Sequence, residues 1–218
     1  MLEIVKTADG SHTIFVPEMD EHYHSIHGAL MESEFIYINS GLNFCTANPV
    51  RIFETGFGTG LNALLTAERC EVDGRDVMYT TIEKYPLPEK ITDSLNYKDF
   101  VSQKGKKLFD QIHSCKWGIP QKITNHFTLN KLHDDMVTAE ITGNFDLIYY
   151  DAFGPDKQPE MWTTKIFQKI CRITATKGIL VTYSVKGEFK RGLKANGFQV
   201  SLLPGPPGKR HILRAVKI

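Results

Sequence analysis

The chain lacks the features that would carry it into or across a membrane. No apolar run approaches the ~20 residues that a spanning helix needs. The N-terminus has no basic flank followed by an apolar core, so it does not read as a secretory leader. A cytoplasmic location is the expectation. Cysteine is scarce: Cys45, Cys70, Cys115 and Cys171 lie far apart with no paired spacing. That argues against a zinc knuckle, a redox pair and a secreted disulfide framework, and leaves buried free thiols as the default. His22, His24 and His27 cluster but have no partner acid motif, so no metal is expected. Acid is nearly missing from the last quarter of the chain. Between Trp162 and Ile218, Glu188 stands alone against twelve Lys and Arg, a net of +11, while the preceding residues carry a net of −10. A basic face of that size suits a phosphate backbone, and charge alone supports a set of solvated helix faces equally well.

With 218 residues and 41% hydrophobic content, the chain can bury one substantial core. Its most informative stretch is Arg51-Ile-Phe-Glu-Thr-Gly-Phe-Gly-Thr-Gly-Leu-Asn62. Gly56, Gly58 and Gly60 follow a short apolar run and open a helical segment, as where a chain turns off a strand and a ligand approaches the backbone. Glu54, two positions earlier, suits a cationic ligand better than a pyrophosphate, which favours bare N–H donors. S-adenosylmethionine, with its sulfonium and ammonium groups, fits that description. Phe57, Thr59 and Asn62 belong to the same cradle.

Strand and helix alternate along the chain. Ile4–Lys6 and Thr13–Val16 flank the turn-forming Asp9-Gly10 and read as a small β extension, with residues 1–48 set apart from a Rossmann-like domain at 49–218. A helix near Gly28–Glu34 and an apolar run, Phe35–Ile38, follow. Core strands are expected at 51–54, 77–82, 127–132, 145–150 and 178–183. Helices are expected at 61–69, from 86 to 95 and on to 113, at 160–173 and at 187–195. A final pair, 199–203 and 211–217, is separated by the loop Pro204–Arg210. A closing hairpin after the fifth unit is an α/β arrangement of the class I S-adenosylmethionine-dependent methyltransferase kind, not that of a dehydrogenase.

Ligands of open α/β sheets sit beyond the carboxyl ends of the strands, and the candidate residues end strands. Glu83, followed by Lys84, lies at the interval after the glycines where an acid reaches ribose hydroxyls. Asp135, or Asp134, could accept from an adenine amino group or cap the next helix. Asp151 ends the apolar run Leu147–Tyr150 and is the catalytic candidate: a carboxylate there can hold a cationic amine and accept its proton.

The segment Asp151-Ala-Phe-Gly-Pro-Asp-Lys-Gln-Pro-Glu-Met-Trp162 resembles the methyltransferase part of the MnmC family and its stand-alone MnmD relatives, matching Asp-x-Phe-x-Pro-x-x-x-Pro-x-Met-Trp at every fixed position. Glu54–Asn62, Ile82-Glu-Lys-Tyr-Pro-Leu87, Tyr23-His-Ser25 and Gly28–Ser33 are similar to the family as well; Asp134-Asp135 departs from an expected Gly-Asp. The resemblance implies methyl transfer from S-adenosylmethionine to 5-aminomethyl-(2-thio)uridine at the wobble position of a tRNA anticodon stem-loop. It implies no metal, and an aminomethyl group supplied by another enzyme, since no length remains for a flavin-dependent oxidase. Asp151 carries over as the catalytic carboxylate, and Phe153, Pro155, Met161 and Trp162 as a substrate-side loop. Trp162 can equally be helix-to-sheet packing. Tyr23 and Glu32 are expected near the substrate, and Lys190, Arg191, Lys209 and Arg210 against tRNA phosphates. Other classes that could use the same cradle are a small-amine N-methyltransferase or aminopropyl transferase, and a non-catalytic RNA-binding protein.

Overall fold

Apolar runs of strand length, each closed by polar residues, build the frame. The structure is a computed structural model and describes residues 2–218. In chain order it contains β1 (Glu3–Lys6), β2 (His12–Val16), β3 (Glu21–His22), α1 (Ala29–Ser33), a π-helical stretch (Glu34–Leu42), β4 (Val50–Thr55), α2 (Leu61–Asp73), β5 (Val77–Glu83) and α3 (Glu89–Thr92). A 3-10 turn (Tyr97–Asp99), α4 (Gln103–Ser114), β6 (Gln121–Lys122), β7 (Phe127–His133) and β8 (Phe145–Tyr150) follow. A second 3-10 turn (Pro159–Trp162), α5 (Thr164–Ile173), β9 (Thr174–Thr182), α6 (Gly187–Ala195), β10 (Phe198–Pro204) and β11 (His211–Lys217) complete it.

The large sheet has the order β10-β11-β9-β8-β4-β5-β7-β6. Its five central strands are parallel, and β11 is antiparallel to both β9 and β10. This is the α/β sheet with a closing hairpin that the sequence implies, and the small antiparallel unit β1-β2-β3 is the N-terminal extension. The chain winds one way from β4 through β5 to β7 and the other way from β8 to β9. The reversal therefore falls between β4 and β8, where a parallel sheet opens a crevice for a ligand.

Alternation along the strands divides the core in two. Ile52, Leu147 and Tyr149 share one cluster with Leu64 of α2, Ile112 of α4, Ile14 of β2 and Ile36 of the π stretch. Phe53, Ile148 and Tyr150 face the other, against Ile166 and Ile170 of α5 and Phe189 of α6. Glu54 and Asp151 keep the parity of Ile52 and Tyr149, so both carboxylates belong to the α2 face.

Four expected elements differ. The helix read from 86 through 113 is three pieces: Pro86 and Pro88 lack amide donors, and Ser102 starts α4 by accepting from the Gly105 amide at 3.0 Å. The helix read from 160 begins at Thr164, because Thr163 is extended and caps it through the Ile166 amide. The apolar run 35–38 is π-helical and puts Tyr37 into the core, where it is 2% exposed. Strand β9 starts four residues before Gly178, with Lys177 in the left-handed region at φ 64°. The two-residue strands β3 and β6 lie in segments where no strand is expected.

Three of the twelve C-terminal cations act inside the fold. Lys169 Nζ donates to the carbonyls of Met136, Val137 and Ala139 at 2.7, 3.1 and 2.7 Å. Lys217 Nζ donates to those of Cys171 and Thr174, both at 2.7 Å. The Arg214 guanidinium stacks 3.4 Å from the Phe44 ring centroid. Lys169→Met should therefore lower unfolding stability by about 1–3 kcal/mol in urea titration, because three carbonyls lose their donor. An unchanged midpoint and slope would show that the lysine is not a structural tie.

Candidate active site

The loop between β4 and α2 has Gly56 and Gly58 in the left-handed region, at φ 86° and 50°. Space explains both. A Cβ on Gly56 would lie 3.1 Å from the Asp151 carbonyl oxygen, and one on Gly58 would lie 3.0 Å from the Tyr23 ring. The first glycine lets the ends of β4 and β8 approach; the second lets an aromatic from the N-terminal extension lie on the loop. Gly60 is also left-handed, and α2 begins without a side-chain cap, leaving its first amides to be satisfied from the cleft or by water.

Asn62 occupies the first turn of α2 and donates through Nδ2 to Glu54 Oε1 at 3.1 Å and to Asp151 Oδ2 at 2.8 Å. Asp151 is half-buried, and its amide donates to Thr55 Oγ1 at 3.0 Å. Burial pushes the Asp151 carboxyl up to about 7 against the pull of the nearby Tyr37 hydroxyl; the Glu32 charge adds to the push, and Asn62 and Lys209 oppose it. Glu54 is 1% exposed, and burial pushes it up to about 8, opposed by the Thr81 hydroxyl and reinforced by the charge of Asp151. Two acids that both resist ionisation thus sit at neighbouring strand ends.

A cleft of about 990 Å³ opens over these strand ends. It brings together Glu32, Tyr23, Gly56, Phe57, Gly58, Thr59, Asn62, Glu83, Lys84, Asp134, Asp135, Asp151, Phe153 and Met161, with Lys209 from the β10–β11 loop. Glu83 accepts from the Gly58 amide at 3.1 Å and the Tyr85 amide at 2.8 Å. Lys84 pairs with Asp135 at 2.9 Å, and Asp135 also accepts from the Val137 amide at 2.8 Å. Asp134 is exposed and accepts only from the Asp135 amide, at 2.7 Å, among the hydrogen bonds of the described residues. The Tyr23 and Phe153 rings meet edge to face at 5.1 Å.

Other expected site residues stand elsewhere. Glu54 and Gly60 lie one layer behind the cleft wall. Trp162 is core: it packs on Tyr150 and Phe189 and donates from Nε1 to the Phe153 carbonyl at 2.8 Å, which braces the loop from behind. Pro155 and Arg210 do not line the cleft. Lys190 and Arg191 line a separate concavity of about 310 Å³ with Lys194 and Leu202. Lys209 is paired with Glu32 at 3.2 Å and is therefore not free for a phosphate. Among the described residues no group of His, Cys, Asp and Glu could hold a metal ion. His24 bonds Thr59 Oγ1 at 2.7 Å, and burial lowers it to about 4.

Two residues at the site were missed in the sequence. Tyr183 lies just beyond β9, donates to the Ala152 carbonyl at 2.9 Å and carries Lys209 Nζ 4.8 Å above its ring. The strand-end rule that selected Asp151 would have selected it too. Tyr37 had no usable signal, since the π-helical winding that turns it toward Asp151 leaves no simple periodicity.

A model of the S-adenosyl-L-methionine-dependent methyltransferase family matches residues 98–218. The chain belongs to that family. The bifunctional tRNA 5-methylaminomethyl-2-thiouridine biosynthesis protein MnmC of Campylobacter hominis is 31% identical over 93% of this chain, which spans 31% of that relative's length. MNMC2 from Aquifex aeolicus superposes with a TM-score of 0.78 at 26% identity, over 99% of this chain and 70% of that one. Spermidine synthase from Thermotoga maritima shares the fold, with a TM-score of 0.56 at 14% identity, over 100% of this chain and 71% of that one.

The methyltransferase uses S-adenosylmethionine, and the site suits it. Asn62 Oδ1 is buried without a hydrogen-bond partner among the described residues, and Asn62 lines the cleft beside the glycine loop. Asn62 and the loop amides would hold the amino-acid end, Glu83 the ribose, and Asp134 or Asp135 the adenine. Because folding raises the Glu54 pKa above its ordinary value, the folded state retains a proton that the unfolded state has lost, and wild-type stability falls as pH rises from about 4.5 to about 8. Glu54→Gln removes this term. Its stability relative to wild type should rise across that window by up to about 1.4 kcal/mol per pH unit in urea titrations without cofactor. A pH-independent difference would show that Glu54 is not held protonated.

Proposed function

We propose that this chain methylates the amine of a 5-aminomethyl-(2-thio)uridine at the wobble position of tRNA, with S-adenosylmethionine as donor. The observation that carries the reading is Asp151, a half-buried carboxylate on the cleft wall with its carboxyl pushed up to about 7. An amine enters as an ammonium, which has no lone pair, and a base matched to neutral pH can take its proton. Asn62 fixes one carboxylate oxygen at 2.8 Å, which holds the group at the cleft wall. S-adenosylmethionine supplies the methyl group from its sulfonium. The names of the relatives support a tRNA acceptor. So does the size of the cleft, which has room for a nucleoside beside the cofactor, and Tyr23 and Phe153 offer ring surfaces to an unstacked base.

The concavity of Lys190, Arg191 and Lys194 supports contact with the tRNA backbone; a small-amine acceptor would leave it without a role. Changing all three to Ala should weaken tRNA binding and flatten the slope of log affinity against log salt by about 2–3. A wild-type slope would reduce these charges to a solvated surface.

The deciding experiment is nucleoside mass spectrometry of aminomethyl-uridine tRNA after incubation with the protein and S-adenosylmethionine. Conversion to 5-methylaminomethyl-uridine is expected, and an unmodified wobble base would overturn the reading. Within it, Asp151→Asn should lower the single-turnover rate by about 10²–10⁴-fold. Cofactor affinity by calorimetry should change far less, because the loop and Glu83 remain. A wild-type rate would remove Asp151 from the chemistry.

A further inference from the structure

Lys209 is immobilised inside the cleft. Its ammonium lies 3.2 Å from Glu32 Oε1 and 4.8 Å over the Tyr183 ring, with only 28% of the side chain exposed. The partner is fixed in turn: Glu32 Oε2 accepts from the Ser25 amide at 2.8 Å, and its side chain is 11% exposed. The backbone before the lysine is fixed as well, because Gly208 is left-handed at φ 86° and packs directly on the His27 ring. A surface lysine waiting for phosphate has no such set of contacts.

The charges around the acceptor position explain what this arrangement can do. Asp151 faces Tyr37 from the π stretch, Asn62 from α2, Glu54 from β4, Glu32 from α1, Tyr183 from the end of β9 and Lys209 from the hairpin. Without Lys209, the carboxylates of Glu32 and Asp151 would both be open to an entering ammonium. Two anions around one ammonium bind it tightly and raise its pKa, which preserves the cation and suppresses the nucleophile. A lysine paired with one of them leaves a single net negative charge, enough to receive the amine and take one proton.

Building on the methyl-transfer reading above, we infer that Lys209 is a positioning residue of the reaction: by pairing with Glu32 it keeps the acceptor site to one open carboxylate, so that the amine reacts in its neutral form. The proton leaves the ammonium for Asp151, the nitrogen lone pair forms the new N–C bond, and the S–C bond breaks with its electrons on sulfur. Lys209 takes no part in the proton transfer. Its role is electrostatic.

The test measures kcat and KM for aminomethyl-uridine tRNA between pH 6 and 9.5 at saturating S-adenosylmethionine, in wild type, Lys209→Met, Lys209→Arg and Lys209→Met/Glu32→Gln. In Lys209→Met the acid limb of kcat should move up by about one pH unit, with about a tenfold loss at pH 7 that recovers above pH 9 and no rise in KM. Lys209→Arg should keep the wild-type limb. The double variant removes both charges of the pair and should return the limb toward the wild-type position even though it carries the more disruptive change. A loss that is equal at every pH, a raised KM with an unmoved limb, or a double variant no better than the single one would overturn the proposal; the second result would make Lys209 a phosphate contact. A wild-type protein that leaves the aminomethyl group unmodified would overturn the methyl-transfer reading itself, before any variant is compared.

Discussion

One side-chain amide holds the site together. Glu54 and Asp151 sit on neighbouring parallel strands and on the same face, with Glu54 paired to Tyr149 and Asp151 two residues further on. Their proximity follows from the sheet, and their reluctance to ionise follows from burial. The two N–H bonds of Asn62 Nδ2 go one to each carboxylate, which uses all that the NH₂ can donate and leaves Oδ1 as its remaining polar atom. Asn62 can do this only because α2 starts at Leu61, and α2 starts there because Gly60 turns left-handed at φ 73°. The glycine loop, the helix start and the acid pair are therefore one device, and a change in any of them reaches the other two.

The basic C-terminal segment divides by position rather than acting as one surface. Lys169 and Lys217 satisfy carbonyls at element ends, which is favourable where a helix or loop leaves acceptors without donors. Lys209 enters the cleft, and Lys186 pairs with Asp156 at 3.0 Å. Only a subset, centred on Lys190, Arg191 and Lys194, lines an open concavity. Counting charge by sequence segment overestimated the free basic face, because a lysine tied to carbonyls and a lysine in solvent have the same letter.

The order of strands and helices was legible because apolar runs of strand length ended in glycine or acid at the carboxyl ends of β4, β5, β7 and β8. The same rule found Asp151 and Glu83, which the fold brings to one cleft. What failed was whatever depends on contacts distant in sequence. Trp162 reads equally as a substrate aromatic or as packing, and only the edge contacts with Tyr150 and Phe189 and the Phe153 carbonyl on its N–H decide for packing. Glu54 reads as a ligand contact, whereas it is buried behind Asn62, which donates to it and lines the cleft. Helix boundaries at 164 and 103 were decided by single capping hydroxyls, Thr163 and Ser102, inside stretches of helical composition.

The two halves of the cleft come from different parts of the chain. The first half is made by the ends of β4, β5 and β7, strands of a fold that extends to a 14%-identical spermidine synthase. The second half is made by segments added around those strand ends: Tyr23 and Glu32 from the N-terminal extension, Phe153 from the loop after β8, and Lys209 from the hairpin loop. These additions contact one another across the opening, through Tyr23 with Phe153, Glu32 with Lys209 and His27 with Gly208. Asp151 lies where the two halves meet. On the methyl-transfer proposal, the acceptor would meet the N-terminal extension, the loop after β8 and the hairpin loop, while the donor would meet the ends of β4, β5 and β7, so that substitutions in the former segments would alter what is methylated without removing the site of the donor.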